Sequence, residues 1–292
     1  MERGRIIKGI GGFYTVTLES GASVTCKARG RFRKDGIVPM IGDAVEVLPQ
    51  NDGNWALQRI LPRKNTLLRP PVSNIDQLII VIAASVPKPD WQLVDKLILQ
   101  AKLHDIIPVL VLNKLDECVP SILDAFEDGY ERVFPACRVS AASGEGLMPL
   151  RERLCNRVSC FAGQSAVGKS SLLNALMPEL MLETCGLAKK TDRGRHTTRH
   201  AELWPFCGGA VLDTPGFSLF EMAAVTQEQL NACYPEFGSA PGQCRFAGCS
   251  HVSEPDCAVK ALLDTGRLDT GRYARYADIY KEIEQRRRTQ YD

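Results

Sequence analysis

Gly163-Gln164-Ser165-Ala166-Val167-Gly168-Lys169-Ser170 decides how the rest of the chain is read. It fits G-x-x-x-x-G-K-[ST], and its flanks suit that pattern. Val158-Ser159-Cys160-Phe161-Ala162 reads as a short buried strand, and residues 169–177 read as a helix stopped by Pro178. Strand, glycine-rich turn and helix in this order make a phosphate-binding loop. The glycines let backbone N–H groups turn toward a β-phosphate, Lys169 supplies a point charge, and the Ser170 hydroxyl is a ligand for Mg²⁺. Ser171, next on the helix, is counted with the nucleotide contacts.

Upstream, Gln77-Leu78-Ile79-Ile80-Val81-Ile82-Ala83 and Ile107-Pro108-Val109-Leu110-Val111-Leu112 are continuous apolar runs separated by a helical pattern over 91–103. Such runs mark strands buried on both faces of a parallel sheet, and the alternation is α/β. The second run delivers Asn113-Lys114-Leu115-Asp116. Here N-K-x-D reads guanine: the Asp116 carboxylate accepts from the ring N–H and the exocyclic amine, while Asn113 contributes its amide. A further strand is expected at Arg132-Val133-Phe134, running on to Val139-Ser140-Ala141, where Ser140 and Ala141 would pack on the base. Downstream, Ala210-Val211-Leu212 leads into Asp213-Thr214-Pro215-Gly216. In D-x-x-G, Asp213 holds Mg²⁺ and the Gly216 N–H meets a γ-phosphate. Between the two lies Gly194-Arg195-His196-Thr197-Thr198, where a switch loop is expected and where either Thr197 or Thr198 would complete the Mg²⁺ shell. N-K-x-D therefore precedes the phosphate loop, whereas ordinary small GTPases carry it afterwards. The order is that of a circular permutation.

Residues 1–69 carry twelve Lys or Arg against six Asp or Glu, so a net charge of +2 divides into +6 there and −4 elsewhere. That asymmetry points to a polyanionic partner for the N-terminal part. Short β-type runs at 13–18, 23–26, 44–47 and 55–57, separated by Gly11-Gly12, Asp35-Gly36 and Asp52-Gly53, suggest a small oligonucleotide-binding (OB) barrel. Lys27-Ala28-Arg29-Gly30-Arg31-Phe32-Arg33-Lys34 is a basic loop with an aromatic inside it. Lys27, Arg29, Arg31, Arg33 and Lys34 are candidates for phosphate contacts, and Phe32 for a base contact. Pro70-Pro71 marks a linker.

Cys244, Cys249, His251 and Cys257 put three thiols and an imidazole within fourteen residues, which suits a closed tetrahedral Zn²⁺ site. Tyr273, Tyr276, Ala277, Tyr280 and Ile283 then recur at helical spacing, with the aromatics read as packing residues, before the basic Arg286-Arg287-Arg288. No apolar run reaches the ~18 residues of a membrane span, and residues 1–8 are polar. The chain is therefore expected to be cytosolic, with its eleven cysteines reduced apart from any metal ligands.

Taken together, the permuted order of 113–116, 163–170 and 213–216, the Gly194-Arg195-His196-Thr197-Thr198 stretch and the cysteines within Cys244-Arg245-Phe246-Ala247-Gly248-Cys249-Ser250-His251 resemble the RsgA (YjeQ) family. The resemblance implies a multidomain protein: an OB barrel over 1–68, a circularly permuted α/β P-loop GTPase over 69–225, and a zinc-binding domain with helices over 226–292. It also implies GTP hydrolysis with Mg²⁺, one structural zinc, binding to 16S rRNA and action in late maturation of the 30S subunit, which stimulates turnover. His196 resembles the histidine proposed as catalytic in the family. The position after D-x-x-G is Phe217, which cannot orient a water as the Gln of Ras-like enzymes does, so slow intrinsic turnover is expected. The alternative expectation is an RNA-binding module in which GTP sets conformation and hydrolysis is incidental. A monomer is expected in either case.

Overall fold

The structure, a computed structural model, describes residues 1–28, 32, 36–50, 54–68, 71–180, 202–213 and 225–291. The chain separates into two compact units. One comprises 1–79, 147–162 and 169–218, and the other 80–146, 163–168 and 219–292.

In the first unit, β1 (Glu2–Ile10), β2 (Phe13–Leu18), β3 (Ser23–Ala28), β4 (Ala44–Pro49) and β5 (Trp55–Ile60) close a barrel in the order β1-β2-β3-β5-β4. Antiparallel pairing of β1 with β4 completes the circle, and β3 pairs parallel to β5. Alternate residues point inward: Ile6, Val16, Leu18, Cys26, Val45, Val47 and Leu57 form the core, as period-two patterning requires. The sequence pattern begins the barrel only at Phe13, because β1 buries a single residue fully, Ile6, and so shows no apolar alternation.

Pro71 opens β7 (Pro71–Ser73), which pairs with β6 (Thr66–Leu68), so a short hairpin stands where a linker is expected. The hairpin is tied to the barrel through fully buried Asp43. That carboxylate accepts from Ser73 Oγ at 2.6 Å, from Arg63 Nε at 2.7 Å and from the Met40 N–H at 2.8 Å.

One six-stranded sheet runs β10-β9-β8-β11-β13-β12, comprising β8 (Gln77–Ala83), β9 (Ile107–Asn113), β10 (Ala136–Arg138), β11 (Val158–Ala162), β12 (Leu203–Phe206) and β13 (Gly209–Asp213). Pairs β9/β10 and β11/β13 are parallel, while β12 and β13 form an antiparallel hairpin. All residues of β8 and β11 are buried, which is why their sequences are mainly apolar, with Gln77 and Ser159 hydrogen-bonded to each other. Helix α1 (Trp91–Leu103) starts on Asp90, whose carboxylate caps the Leu93 N–H, and occupies the span its periodicity predicts. Helices α2 (Pro120–Phe126), α3 (Leu147–Leu154) and α4 (Lys169–Leu176) follow.

No strand forms at Arg132-Val133-Phe134. A π-helical turn at Glu127–Glu131 extends α2, and the Val133 and Phe134 N–H groups both bond to the Tyr130 carbonyl, so the chain closes a turn and joins the sheet only at Ala136. A second correction concerns the cysteines. Cys155 and Cys207 are joined by a disulfide, which departs from the expected all-thiol chain.

Beyond residue 225 the second unit continues with short α5 (Gln227–Asn231), α6 (Ala258–Asp264) and long α7 (Thr270–Tyr291). Helix α7 buries Tyr276 and Ile283 of the expected stripe, together with Ile279, while Tyr273, Ala277 and Tyr280 are half-buried. It also buries Arg272, only 1% exposed. Arg272 Nε donates to Glu236 at 2.7 Å, its guanidinium pairs with Asp95 of α1, and it lies 4.2 Å from the centroid of the Tyr234 ring. Arg275 Nε and Tyr130 OH reach the same Asp95 carboxylate at 2.7 and 2.6 Å. Burial alone would lower the Arg272 pKa, but Asp95 and Glu236 hold it well above the ordinary value, so the guanidinium stays charged.

Candidate nucleotide site and metal centre

At the end of β9 the backbone turns through Lys114 in the left-handed region (φ 67°), and Lys114 Nζ bonds to the Val86 carbonyl. Asn113 is buried and bridges two loops: its Nδ2 donates to the Val167 carbonyl at 3.0 Å and its Oδ1 accepts from the Ala141 N–H at 3.1 Å. Ser140 Oγ donates to Asp116 Oδ1 at 2.5 Å, fixing the rotation of an exposed carboxylate. The structure therefore joins Asn113, Asp116, Ser140 and Ala141 to the loop 163–168.

The cradle is one only glycine can form. Gly163 has φ 135°, and a Cβ there would lie 2.3 Å from the Val81 carbonyl oxygen; at Gly168, with φ 93°, it would lie 2.5 Å from Asn113 Nδ2. Gln164 Oε1 accepts from the Asp90 N–H at 3.3 Å, tying the loop to the cap of α1, a contact no sequence pattern announces. Ser165 and Ala166 are exposed on the loop, Val167 is buried, and Lys169, Ser170 and Ser171 open α4 without a break. Pairing of Phe161 with Asp213 in β11/β13 brings the backbone of Asp213 beside the strand that feeds the loop. The residue types on the loop 163–168 and at the end of β9 are those of a guanine-nucleotide site. Gly216, His196, Thr197, Thr198 and Phe217 lie outside the described residues, as does the Asp213 side chain.

The predicted metal ligands converge. One donor atom from each of Cys244, Cys249, His251 and Cys257 lies within 4.8 Å of all the others. Cys244 Sγ and Cys257 Sγ are 3.9 Å apart, and His251 Nδ1 is 3.5 and 3.4 Å from them. A tetrahedron with Zn–S of about 2.3 Å and Zn–N of about 2.0 Å has edges of about 3.8 and 3.5 Å, so the residues fit zinc. Burial lowers the His251 pKa and favours the neutral imidazole that ligates. Burial beside the other thiols pushes Cys249 up to about 12, a crowding that a cation relieves by taking thiolates. Asn231 Nδ2 lies 3.3 Å from His251 Nε2, and Tyr273 OH donates to the His251 carbonyl at 2.8 Å. Two aromatics of α7 thus pack and would also support zinc ligands from outside: Tyr273, and Tyr276 with its hydroxyl 2.9 Å from Asn231 Oδ1.

On the barrel, the basic loop needs one correction. Phe32 is 5% exposed and packs in the barrel core, so its ring is no platform for a base. The exposed ring is Phe13, 53% exposed, paired across β2/β3 with Lys27, whose Nζ stands 5.9 Å over it. Arg29, Arg31, Arg33 and Lys34 lie outside the described residues.

An N-K-x-D strand end, a G-x-x-x-x-G-K-S loop and a D-x-x-G strand end, met in that order along the chain, are the arrangement of a circularly permuted GTPase. The model of the RsgA GTPase matches residues 60–223 and that of the RsgA N-terminal domain residues 3–55, and the chain belongs to this family. It is 43% identical to the small ribosomal subunit biogenesis GTPase RsgA of Caldanaerobacter subterraneus, covering 100% of this chain and 99% of that one. It is 42% identical to the protein of the same name from Shouchella clausii, at 99% of each. Among solved structures it resembles YjeQ from Thermotoga maritima (TM-score 0.83, 34% identity, 97% of this chain and 98% of that one). It also resembles YloQ, described as a circularly permuted GTPase (TM-score 0.81, 34% identity, 98% and 96%).

Proposed function

We propose that this GTPase acts in maturation of the small ribosomal subunit in the cytoplasm, binding 16S rRNA and hydrolysing GTP faster on the subunit than alone. The observation that carries the reading is the bridge from Asn113 to Val167 and Ala141, which joins base-reading and phosphate-binding loops in one framework. The rest follows from chemistry and from relatives. Residues 1–68 serve as the RNA-binding barrel, with Phe13 and Lys27 on its exposed face and the basic run 27–34 in its sequence. Residues 69–225 are the GTPase and 226–292 the zinc domain. Phe217 offers no hydrogen bond to an attacking water, so the positioning group comes from His196 or from the subunit.

GTP turnover of the full chain with and without 30S particles, at one fixed salt concentration, tests this. Stimulation of tenfold or more supports it. Equal rates would leave a GTP-dependent RNA-binding module whose hydrolysis is incidental.

A further inference from the structure

Neighbouring strands of the barrel bring Phe13, Lys27 and Trp55 to one surface. Phe13 of β2 lies opposite Lys27 of β3, and Lys27 in turn lies opposite Ala56 of β5, next to Trp55. Two clefts flank the pair formed by Phe13 and Lys27: both are lined by Phe13, Lys27 and Ala28, and otherwise by different residues. One, of about 570 Å³, is walled by Ile37 and Val38, which are 44% and 64% exposed. The other, of about 410 Å³, is walled by Trp55 and by Thr25 and Gln50, whose side chains can hydrogen-bond. Both volumes fall in the range of small-ligand pockets.

We propose that this surface seats two consecutive unpaired nucleotides of RNA, one base in each cleft, with the phosphate between them on Lys27. The inference rests on the reading of residues 1–68 as an RNA-binding barrel and adds the form of the RNA that the barrel takes. A base inside a duplex is stacked on both faces and offers only its edge, so a cleft walled by a ring and aliphatic side chains accepts it only when it is unpaired. Among the described residues Lys27 is the one cation that lines both clefts, and its Nζ stands 5.9 Å from the Phe13 ring centroid, where a backbone joining the two bases would cross. The +6 charge of residues 1–69 favours a polyanion over an apolar peptide as the occupant. The clefts also differ in what they read. Packing against Ile37 and Val38 satisfies any base, whereas Thr25 and Gln50 can bond to a particular base edge, so one nucleotide position is tolerant and its neighbour selective.

The test is fluorescence anisotropy of the full chain with labelled ten-nucleotide homopolymers of A, C and U, and with an RNA duplex of the same length, over a range of salt concentrations. The single strands should bind more tightly than the duplex. Phe13→Ala should weaken them by about 5- to 100-fold with the salt dependence unchanged, and Phe13→Trp should restore binding. Lys27→Gln should instead lower the slope of log affinity against log salt by about 0.7, the loss of one single-strand phosphate contact. Gln50→Ala should flatten the preference among homopolymers, and Val38→Ala should weaken all three alike. Phe13 is 53% exposed, so an unchanged melting temperature in Phe13→Ala separates lost stacking from lost folding. Wild-type affinity of Phe13→Ala for the single strands would overturn the inference and leave RNA binding by the barrel in place. Loss of 30S association in that variant with single-strand affinity intact would also overturn it and assign the clefts to a ribosomal protein. Failure of the wild type to bind either RNA at low salt would overturn the barrel reading as well.

Discussion

The sheet that carries the nucleotide loops and the segment after residue 225 are stabilised by opposite means. In the sheet, β8, β9 and β11 bury nearly every residue, and Gln77, the polar side chain of β8, is satisfied by Ser159 Oγ at 2.9 Å. In the C-terminal segment the groups at the centre are three thiols, an imidazole, Arg272, Glu236 and Tyr234, which stacks on Phe237 and meets Tyr276 edge to face. Apolar burial is non-directional and accumulates residue by residue, so the sheet tolerates loss of any one contact. A metal site and a buried ion network depend on every member being present.

The largest expected effect separates the two regions. Structural zinc binding is worth on the order of 10 kcal/mol in small domains. Chelation, or Cys249→Ser, should therefore unfold the segment 226–292 while leaving the sheet intact. Limited proteolysis should remove that segment from the metal-free protein, and GTP affinity should stay within about threefold, since each 1.4 kcal/mol is a factor of ten. Full zinc content with unchanged protease resistance in Cys249→Ser would show that the C-terminal region has an apolar core of its own. Asp95→Ala comes next, because it leaves Arg272 and Arg275 without their shared carboxylate. Breaking a buried pair costs about 3–5 kcal/mol. Urea unfolding should report a loss of that size, against less than about 1.5 kcal/mol for a volume-conserving apolar change such as Leu110→Met in β9.

The same contrast governs what the sequence makes legible. Helix α1, β8, β9, β11 and the phosphate loop stand where apolar runs and glycine spacing put them, because period, burial and turn chemistry are local. The metal ligands are equally legible, because chelation needs residue types at short spacing. What escapes is set by partners remote in sequence. Arg272 reads as one more charge on a polar helix until Asp95, 177 residues away, is seen beside it. Phe32 reads as a stacking residue because it lies among arginines, yet the barrel needs its ring inside, and the exposed ring is Phe13 of β2. The Cys155–Cys207 bond likewise depends on β11/β13 pairing that brings two turns together.

On the sheet side, the sharper test concerns a polar group that does act alone. Ser140 Oγ donates to Asp116, and on the proposed reading this carboxylate would accept from two donors of guanine, so its loss would remove two charge-assisted hydrogen bonds. Asp116→Asn should weaken GTP by about 100-fold, roughly 3 kcal/mol, and raise the relative affinity for XTP, while thermal stability stays unchanged. Wild-type preference for GTP in a competition titration would mean that this loop does not read the base.

The smallest effect probes whether the C-terminal network extends beyond its metal and its arginines. Glu254 accepts from the Ser250 N–H at 2.9 Å and from Ser250 Oγ at 2.8 Å, and Ser250 directly precedes the ligand His251. Burial would raise the Glu254 pKa, but these hydrogen bonds outweigh it and bring the carboxyl down from 4.5 to about 2. A carboxyl depressed on folding stabilises the native state fully above its unfolded pKa, near 4.5, and that contribution fades as pH falls through about 2. Because the group is partly open to solvent, the contribution is discounted to about 1 kcal/mol, a few degrees in melting temperature. Glu254→Gln should therefore melt a few degrees lower than wild type at pH 7, with the gap narrowing as the pH is lowered below 4.5. An equal gap at pH 7 and at pH 3 would assign the loss to packing. No gap at either pH would place Glu254 outside the network and confine that network to the metal ligands and the Arg272 cluster.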